Sequence, residues 1–274
     1  MTAAISGDRR AARPAAGGFA QMLRLRFVGF ALAVGLALGW PANEAGAEGR
    51  SARPVVVELF TSQSCYSCPP AERFLGELSR RADVIALEFH VDYWNDLNYG
   101  SAGKWKDVHS RPEYTRRQRD YNQRIRRRAG VYTPQMVIDG RFEKAGTRES
   151  EVLATIRRAR GHDAPGVTVD VRHGAAKGLS IAVDGATDDA AAIWLVRFKQ
   201  SETTRVLRGE NHGKSLVNHN IVTGMSRIGD WRGEAVRLDL PDTRLASGEG
   251  CAVLIQGGGP GAILGAARCP TGGV

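Results

Sequence analysis

The chain is poor in cysteine, with four in 274 residues, so it can close two disulfides at most. Beyond Trp40 it has no apolar run near the roughly 20 residues that span a bilayer. Nothing downstream of that point reads as a membrane segment. It has no internal repeat, which excludes a solenoid or propeller. No low-complexity stretch follows the leader. Its net charge of +9 is mild for this length and by itself argues for no acidic partner; nucleic acid is not expected as a partner.

What is present first is a leader. Residues 22–47 read MLRLRFVGFALAVGLALGWPANEAGA. Arg24 and Arg26 precede an apolar run from Phe27 to Trp40, Pro41 breaks it, and Ala45-Gly46-Ala47 offers small residues for cleavage. This is the pattern of a secretory signal. The alternative, a single membrane anchor, needs a longer run. Residues 1–21 are polar, and Met22 is a second candidate start. Cleavage after Ala47 leaves no stable anchor and a periplasmic or secreted chain.

The rest divides by pattern. Val55–Thr61 has strand composition. Cys65–Arg80 has helical spacing with Phe74, Leu75 and Leu78 on one face. Val84–Val91 is a largely apolar strand, as expected of a central one. Residues 101–128 are arginine-rich and helix-compatible, read as two short helices split near Pro112. Thr133–Gly140 is a strand ending in Asp139-Gly140, a hairpin signal leading into Arg141–Ala145. Residues 148–160 return to helical period. Strand, helix, strand, helices, strand, strand, helix is the thioredoxin order with a helical insertion. The fold class expected is therefore α/β: a leader over 1–47, a thioredoxin-like domain over 48–162 and an antiparallel β-rich C-terminal domain over 163–274. The last rests on short strands near 167–171, 179–183, 192–198, 235–240, 252–256 and 263–267 separated by turn residues.

Chemistry concentrates at Cys65-Tyr66-Ser67-Cys68. A Cys-x-x-Cys pair that follows a strand and opens a helix sits at the positive end of the helix dipole, beside backbone N–H groups that favour a thiolate. The thiolate is the attacking species in disulfide exchange. Cys65 is assigned as nucleophile and Cys68 as resolving thiol, with protein thiols or disulfides of the cell envelope as partners and no cofactor or metal. In thioredoxin-like folds a cis-proline opens the strand facing such a pair, which singles out Thr133-Pro134. Thr133, Tyr66 and Tyr132 then line the approach of an extended peptide. This chemistry requires the Cys65 sulfur open to solvent and close to Pro134.

The stretches VVVELFTSQSCYSCPPAERFLGEL, EFHVDYWN, VYTPQMVIDGRFEKAG and RGENHGKSLVNHNIV resemble DUF1223, a family of secreted bacterial proteins in the thioredoxin-like superfamily. The resemblance implies the fold. It maps the superfamily's redox cysteines and cis-proline to Cys65, Cys68 and Pro134, although Ser64 stands where thioredoxins carry Trp.

Other residues offer narrower roles. Glu58 is a candidate proton relay, one residue off the usual strand spacing, which turns it to the other face. Cys65, Cys68 and His90 could form a soft Cu(I) set, giving a second reading as a copper chaperone or a non-catalytic binding protein. Tyr93, Trp94, Tyr99, Trp105 and Tyr132 either line a groove or cap a small core. The eight arginines from Arg111 to Arg128 read as a solvated helix face, with binding to headgroups or an acidic partner as the alternative. Residues 208–212 and His219 read as a turn network joining the two domains. Pairing Gln256 with Ile263 puts Cys251 opposite Arg268 or Cys269, within disulfide reach.

Overall fold

In the computed structural model, residues 53–161, 166–187 and 190–271 are described. The expected leader, with its cleavage point, lies outside them, as does most of the expected 161–166 linker. The architecture is mixed α/β.

The first strand, β1 (Val55–Thr61), and the second, β2 (Val84–His90), are buried along their whole length. They pair in parallel, Val55 beside Val84 through Thr61 beside His90. A strand covered on both faces reads as a near-continuous apolar run. The helix between them, α1 (Pro69–Ser79), takes Pro69 and Pro70 into its first turn and buries Ala71, Phe74, Leu75 and Leu78. Proline is tolerated there because those N–H groups have no helical partner. The helix thus begins four residues later than its periodicity predicts, with Cys68 as N-cap.

The stretch before Pro112 does not form the predicted first helix. Apart from one turn at Gly100–Ala102 it is loop, pinned by side chains described below, and a single helix, α2 (Pro112–Ile125), follows. Strands β3 (Gln135–Ile138) and β4 (Phe142–Ala145) form the expected hairpin. Asp139 and Gly140 hold φ of 49° and 62° in its loop. A Cβ on Gly140 would lie 2.1 Å from the Gly261 carbonyl oxygen, so this position needs glycine. Helix α3 (Glu149–Arg160) closes the segment.

Three short strands, β5 (Thr168–His173), β6 (Leu179–Asp184) and β9 (Val236–Leu240), make a small antiparallel sheet. The long hairpin β7 (Ala191–Arg205) and β8 (Ser215–Trp231) joins β10 (Glu249–Gly257) and β11 (Ile263–Arg268) in the main sheet. That sheet has eight strands in the order β11-β10-β7-β8-β2-β1-β3-β4. Strands from both sides of residue 163 therefore share one sheet, joined where β2 and β8 run parallel with Glu88 beside Ile221.

Strand β8 has no counterpart among the sequence-predicted strands. Its middle carries Asn218, His219 and Asn220, which break any apolar alternation. Asn218 and the His219 amide bond the Glu88 carboxylate at 2.6 and 2.9 Å, and Asn220 bonds the Ala86 carbonyl. The partner strand, not a hydrophobic face, satisfies this segment. Three cores cover the sheet. Helix α2 closes one face around Phe60, Phe89 and Tyr121. On the other face, α1 and α3 cover β1–β3 and the small sheet covers β7 and β10.

Candidate active site around the cysteine pair

The loop after β1 carries Cys65 and Cys68 to the carboxyl end of the parallel strands, where open α/β sheets gather their sites. The two cysteines are joined, with Cα atoms 5.4 Å apart. Both are fully buried, while Tyr66 between them is 67% exposed. The requirement that the Cys65 sulfur face solvent is not met in this state. The helix N-terminus also offers less than expected: Pro69 and Pro70 have no N–H, and the amides of Ala71 and Glu72 go to the Cys68 carbonyl.

The loop is held by polar struts. The Asp107 carboxylate accepts from the Gln63 amide at 2.7 Å. The Trp105 indole donates to Gln63 Oε1 at 3.1 Å, and Ser64 donates to the Trp105 carbonyl. The Asn211 amide donates to the carbonyls of both Gln63 and Cys65 at 2.9 Å. These contacts explain why the stretch before Pro112 is not helical. They also make the 208–212 turn network a direct clasp on the cysteine loop.

The Thr133–Pro134 bond is cis. The β1–β3 register pairs Phe60 with Gln135, which brings Pro134 beside Thr61. Gly146 sits between the proline and the helix: a Cβ there would lie 2.9 Å from Ala71 Cβ and 3.3 Å from Pro134 Cβ. Thr133 Oγ1 accepts from the Trp94 indole at 2.9 Å. Gln118 of α2 donates to the Tyr132 carbonyl and to Gln135. Tyr132 itself is turned to Glu143, to which its hydroxyl donates, and Arg126 stacks over its ring at 5.1 Å. Trp94 and Trp105, expected as groove lining or core edge, act as struts for the proline loop and the cysteine loop.

Beneath the cysteine loop lies an ionisable cluster that the sequence reading did not assemble. Glu88 and His90 of β2 alternate onto the α1 face, and Glu72 of α1 and Asp107 of the loop meet them. All four are buried. His90 Nδ1 lies 2.7 Å from Asp107 Oδ2 and its Nε2 lies 3.2 Å from Glu88 Oε1. Glu72 Oε1 accepts from the Thr61 hydroxyl at 2.6 Å. Burial, reinforced by the Glu88 charge, pushes the Glu72 carboxyl up to about 8. Burial works against a charged His90, but the Asp107 and Glu88 carboxylates outweigh it and hold His90 well above its ordinary value. Asp107 is held below its ordinary value because the His90 charge and hydrogen bond outweigh its desolvation. The available signal was a pair of charged residues two apart on one face of an otherwise apolar strand.

Glu58 takes no part. It faces α2, where Arg117 grips it at 2.6 and 2.8 Å and the Tyr121 hydroxyl adds a third bond at 2.7 Å. Arg117 is therefore not part of a solvated face. His90 bonds Asp107 through Nδ1, and its Nε2 lies 3.2 Å from Glu88 Oε1 without a hydrogen bond. Among the described residues no group of three or more His, Cys, Asp or Glu is arranged to hold a metal ion, and no helix is long and apolar enough to cross a membrane.

The second cysteine pair lies at the far end of the sheet. Gln256 pairs with Ile263, Ala252 with Arg268, and the Cys269 amide bonds the Cys251 carbonyl at 2.9 Å. Cys251 and Cys269 are joined, with Cα atoms 5.2 Å apart.

A family model described as "Protein of unknown function (DUF1223)" matches residues 56–256. A crystal structure of a protein from Agrobacterium tumefaciens is 31% identical, with a TM-score of 0.70, covering 82% of this chain and 97% of its own. HBP35 of Porphyromonas gingivalis is similar in fold, with a TM-score of 0.50 at 12% identity, over 81% of this chain and 78% of its own. No curated protein matches.

Proposed function

We propose a function for this chain, which belongs to the DUF1223 family: it is an exported, periplasmic or secreted, thiol–disulfide oxidoreductase that exchanges disulfides with protein thiols through Cys65 and Cys68 on a thioredoxin-like framework. The observation that carries the reading is the buried cluster of Glu72, Glu88, His90 and Asp107 against the cysteine loop. Burying ionisable groups is costly even when they are paired. A disulfide spanning three residues needs no such support for stability. Perturbed titratable groups gathered beside one reactive pair mark a functional site.

The chemistry follows from positions. A client thiolate attacks the Cys65 sulfur, the Cys65–Cys68 bond breaks, and its electron pair leaves on Cys68. Glu72 is four residues beyond Cys68, on the same helical face, with its side chain leaning toward the N-terminus. Because it keeps its proton at neutral pH, Glu72 can hand that proton to the departing Cys68 thiolate. A second client thiolate then attacks the client sulfur of the mixed disulfide, Cys65 leaves as thiolate, and two electrons have passed from the client to the pair. In the reverse direction Cys65 attacks and Cys68 resolves. The cis Thr133–Pro134 peptide, one strand away, offers backbone groups to an extended client.

Two further features support a protein client met outside the cytoplasm. Both cysteine pairs are oxidised, as an oxidising compartment permits. The large apolar side chains exposed among the described residues are Tyr66, Leu97, Val108, Leu207 and Val217, and these belong to the cysteine loop, the loop before α2 and the β7–β8 hairpin. The second reading, a static disulfide in a binding protein, is favoured by the complete burial of both cysteines.

A Cys68→Ala variant decides between them. Expressed with its leader in an envelope-bearing cell, it should accumulate mixed disulfides through Cys65 that a Cys65→Ala variant lacks. Equal and negligible adducts from both variants would leave the static disulfide.

A further inference from the structure

The turn of the β7–β8 hairpin, residues 206–214, lies over the cysteine loop and touches it through polar groups. Asn211, fully buried, forks both amide hydrogens onto the carbonyls of Gln63 and Cys65. The Glu210 carboxylate accepts from the Tyr66 amide at 2.8 Å. The Lys214 ammonium sits 4.5 Å from the centre of the Tyr66 ring and donates to Asn211 Oδ1. On the other flank the Gly209 amide donates to the Ala102 carbonyl, and its Cα faces Trp105 and Ser64.

Little apolar packing holds this turn down. Val206 is buried at its base, but Leu207 is 61% exposed. Gly209 and Gly213 flank Asn211 with φ of 78° and 82°, a backbone region glycine enters freely. A segment closed by a few hydrogen bonds, with scant apolar burial, opens locally at far lower cost than the sheet beneath it. The base is firmer: Val206 and Lys214 bond each other across the hairpin, and β8 is tied to Glu88 through Asn218 and His219.

We infer that residues 206–214 form a lid over the Cys65–Cys68 disulfide, latched by Asn211, and that any thiol reaching Cys65 must wait for this turn to lift. The inference goes beyond the proposed function and does not depend on the pair turning over a client. It concerns access, and a small thiol tests it.

The experiment follows reduction of the two disulfides of the whole mature chain by dithiothreitol, with quenching by alkylation and mass spectrometry of the Cys65–Cys68 and Cys251–Cys269 peptides. A gated disulfide gives a Cys65–Cys68 rate that levels off as thiol concentration rises, at the rate of lid opening. Asn211→Ala should speed that reduction roughly ten- to a hundredfold, the factor expected from losing two neutral hydrogen bonds of the closed state. Glu210→Ala, an exposed change, should give a smaller gain in the same direction. The Cys251–Cys269 rate should not move in either variant. A Cys65–Cys68 rate linear in thiol and unchanged in both variants overturns the lid, as does equal acceleration of both disulfides, which would report general loosening. If Asn211→Ala does not fold, the Glu210→Ala comparison decides by the same criteria.

Discussion

Asn211 donates to the Cys65 carbonyl across 146 residues of sequence, at 2.9 Å and out of contact with solvent. The bond joins the turn of the β7–β8 hairpin to the loop that carries the cysteine pair. The same hairpin contributes Asn218 and His219 to the Glu88 carboxylate, so the β-rich half helps build the buried cluster. In this chain the second half of the sheet forms one wall of the candidate site.

Glu72 makes stability depend on pH with a definite sign. In the folded chain it keeps its proton up to about 8, whereas its ordinary value is 4.5. Between those values the folded state binds more proton than the unfolded state, so stability falls as pH rises through the window. His90, held above 6.5, acts in the same sense at the upper end. Glu72→Gln removes the first contribution. Urea midpoints at pH 5 and pH 8 should lie closer together in the variant than in the parent chain; an undiminished difference would assign the dependence elsewhere.

Arg117 and Glu58 form a buried pair whose two members are not separable. Arg117→Met leaves the Glu58 carboxylate uncompensated, and losing one partner of such a pair costs about 3–5 kcal/mol. Arg117→Met combined with Glu58→Leu should recover most of that loss. Urea denaturation of the two variants checks it, and a double variant no better than the single would contradict the pairing as the cause.

Gly140 is fixed by its neighbour. Alanine there meets the Gly261 carbonyl and adopts an unfavourable φ, so Gly140→Ala should destabilise by more than about 1 kcal/mol. A change within a few tenths in thermal unfolding would mean that the β3–β4 loop and the 257–261 turn do not meet as described.

The Cys251–Cys269 bond spans 18 residues, and its removal by paired substitution to alanine should cost about 3 kcal/mol. Because it lies at the far end of the sheet, reduction of Cys65–Cys68 by dithiothreitol should be unaffected. A matching change in that rate would show the two ends to be coupled.

Much of the first half was legible in sequence because apolar period and turn residues agree there. Val55–Thr61, Val84–His90 and the Asp139-Gly140 hairpin are each fixed by local composition, and the Cys65–Cys68 pair announces itself. Strand β8 was not legible, since Asn218, His219 and Asn220 are satisfied by Glu88 and Ala86 across the sheet. The helix predicted before Pro112 failed for a related reason: Asp107 and Trp105 bond the cysteine loop instead of extending a helix. Glu72, Glu88 and Asp107 lie in three different segments of the chain, and only tertiary packing gathers them with His90 beneath the cysteine loop. Cys65 is expected open to solvent but is buried, and the turn that bonds its carbonyl lies 146 residues further on, beyond the reach of local pattern.

The most direct test mixes the oxidised protein, residues 48–274, with a reduced, unfolded polypeptide bearing two cysteines, at neutral pH and with oxygen excluded. The expected result is exchange: the polypeptide gains a disulfide as Cys65 and Cys68 appear as thiols in equal measure, to an extent set by their relative potentials, and Cys251–Cys269 stays oxidised. A polypeptide that remains reduced, with Cys65–Cys68 still joined after the closed state has had time to open, would contradict it.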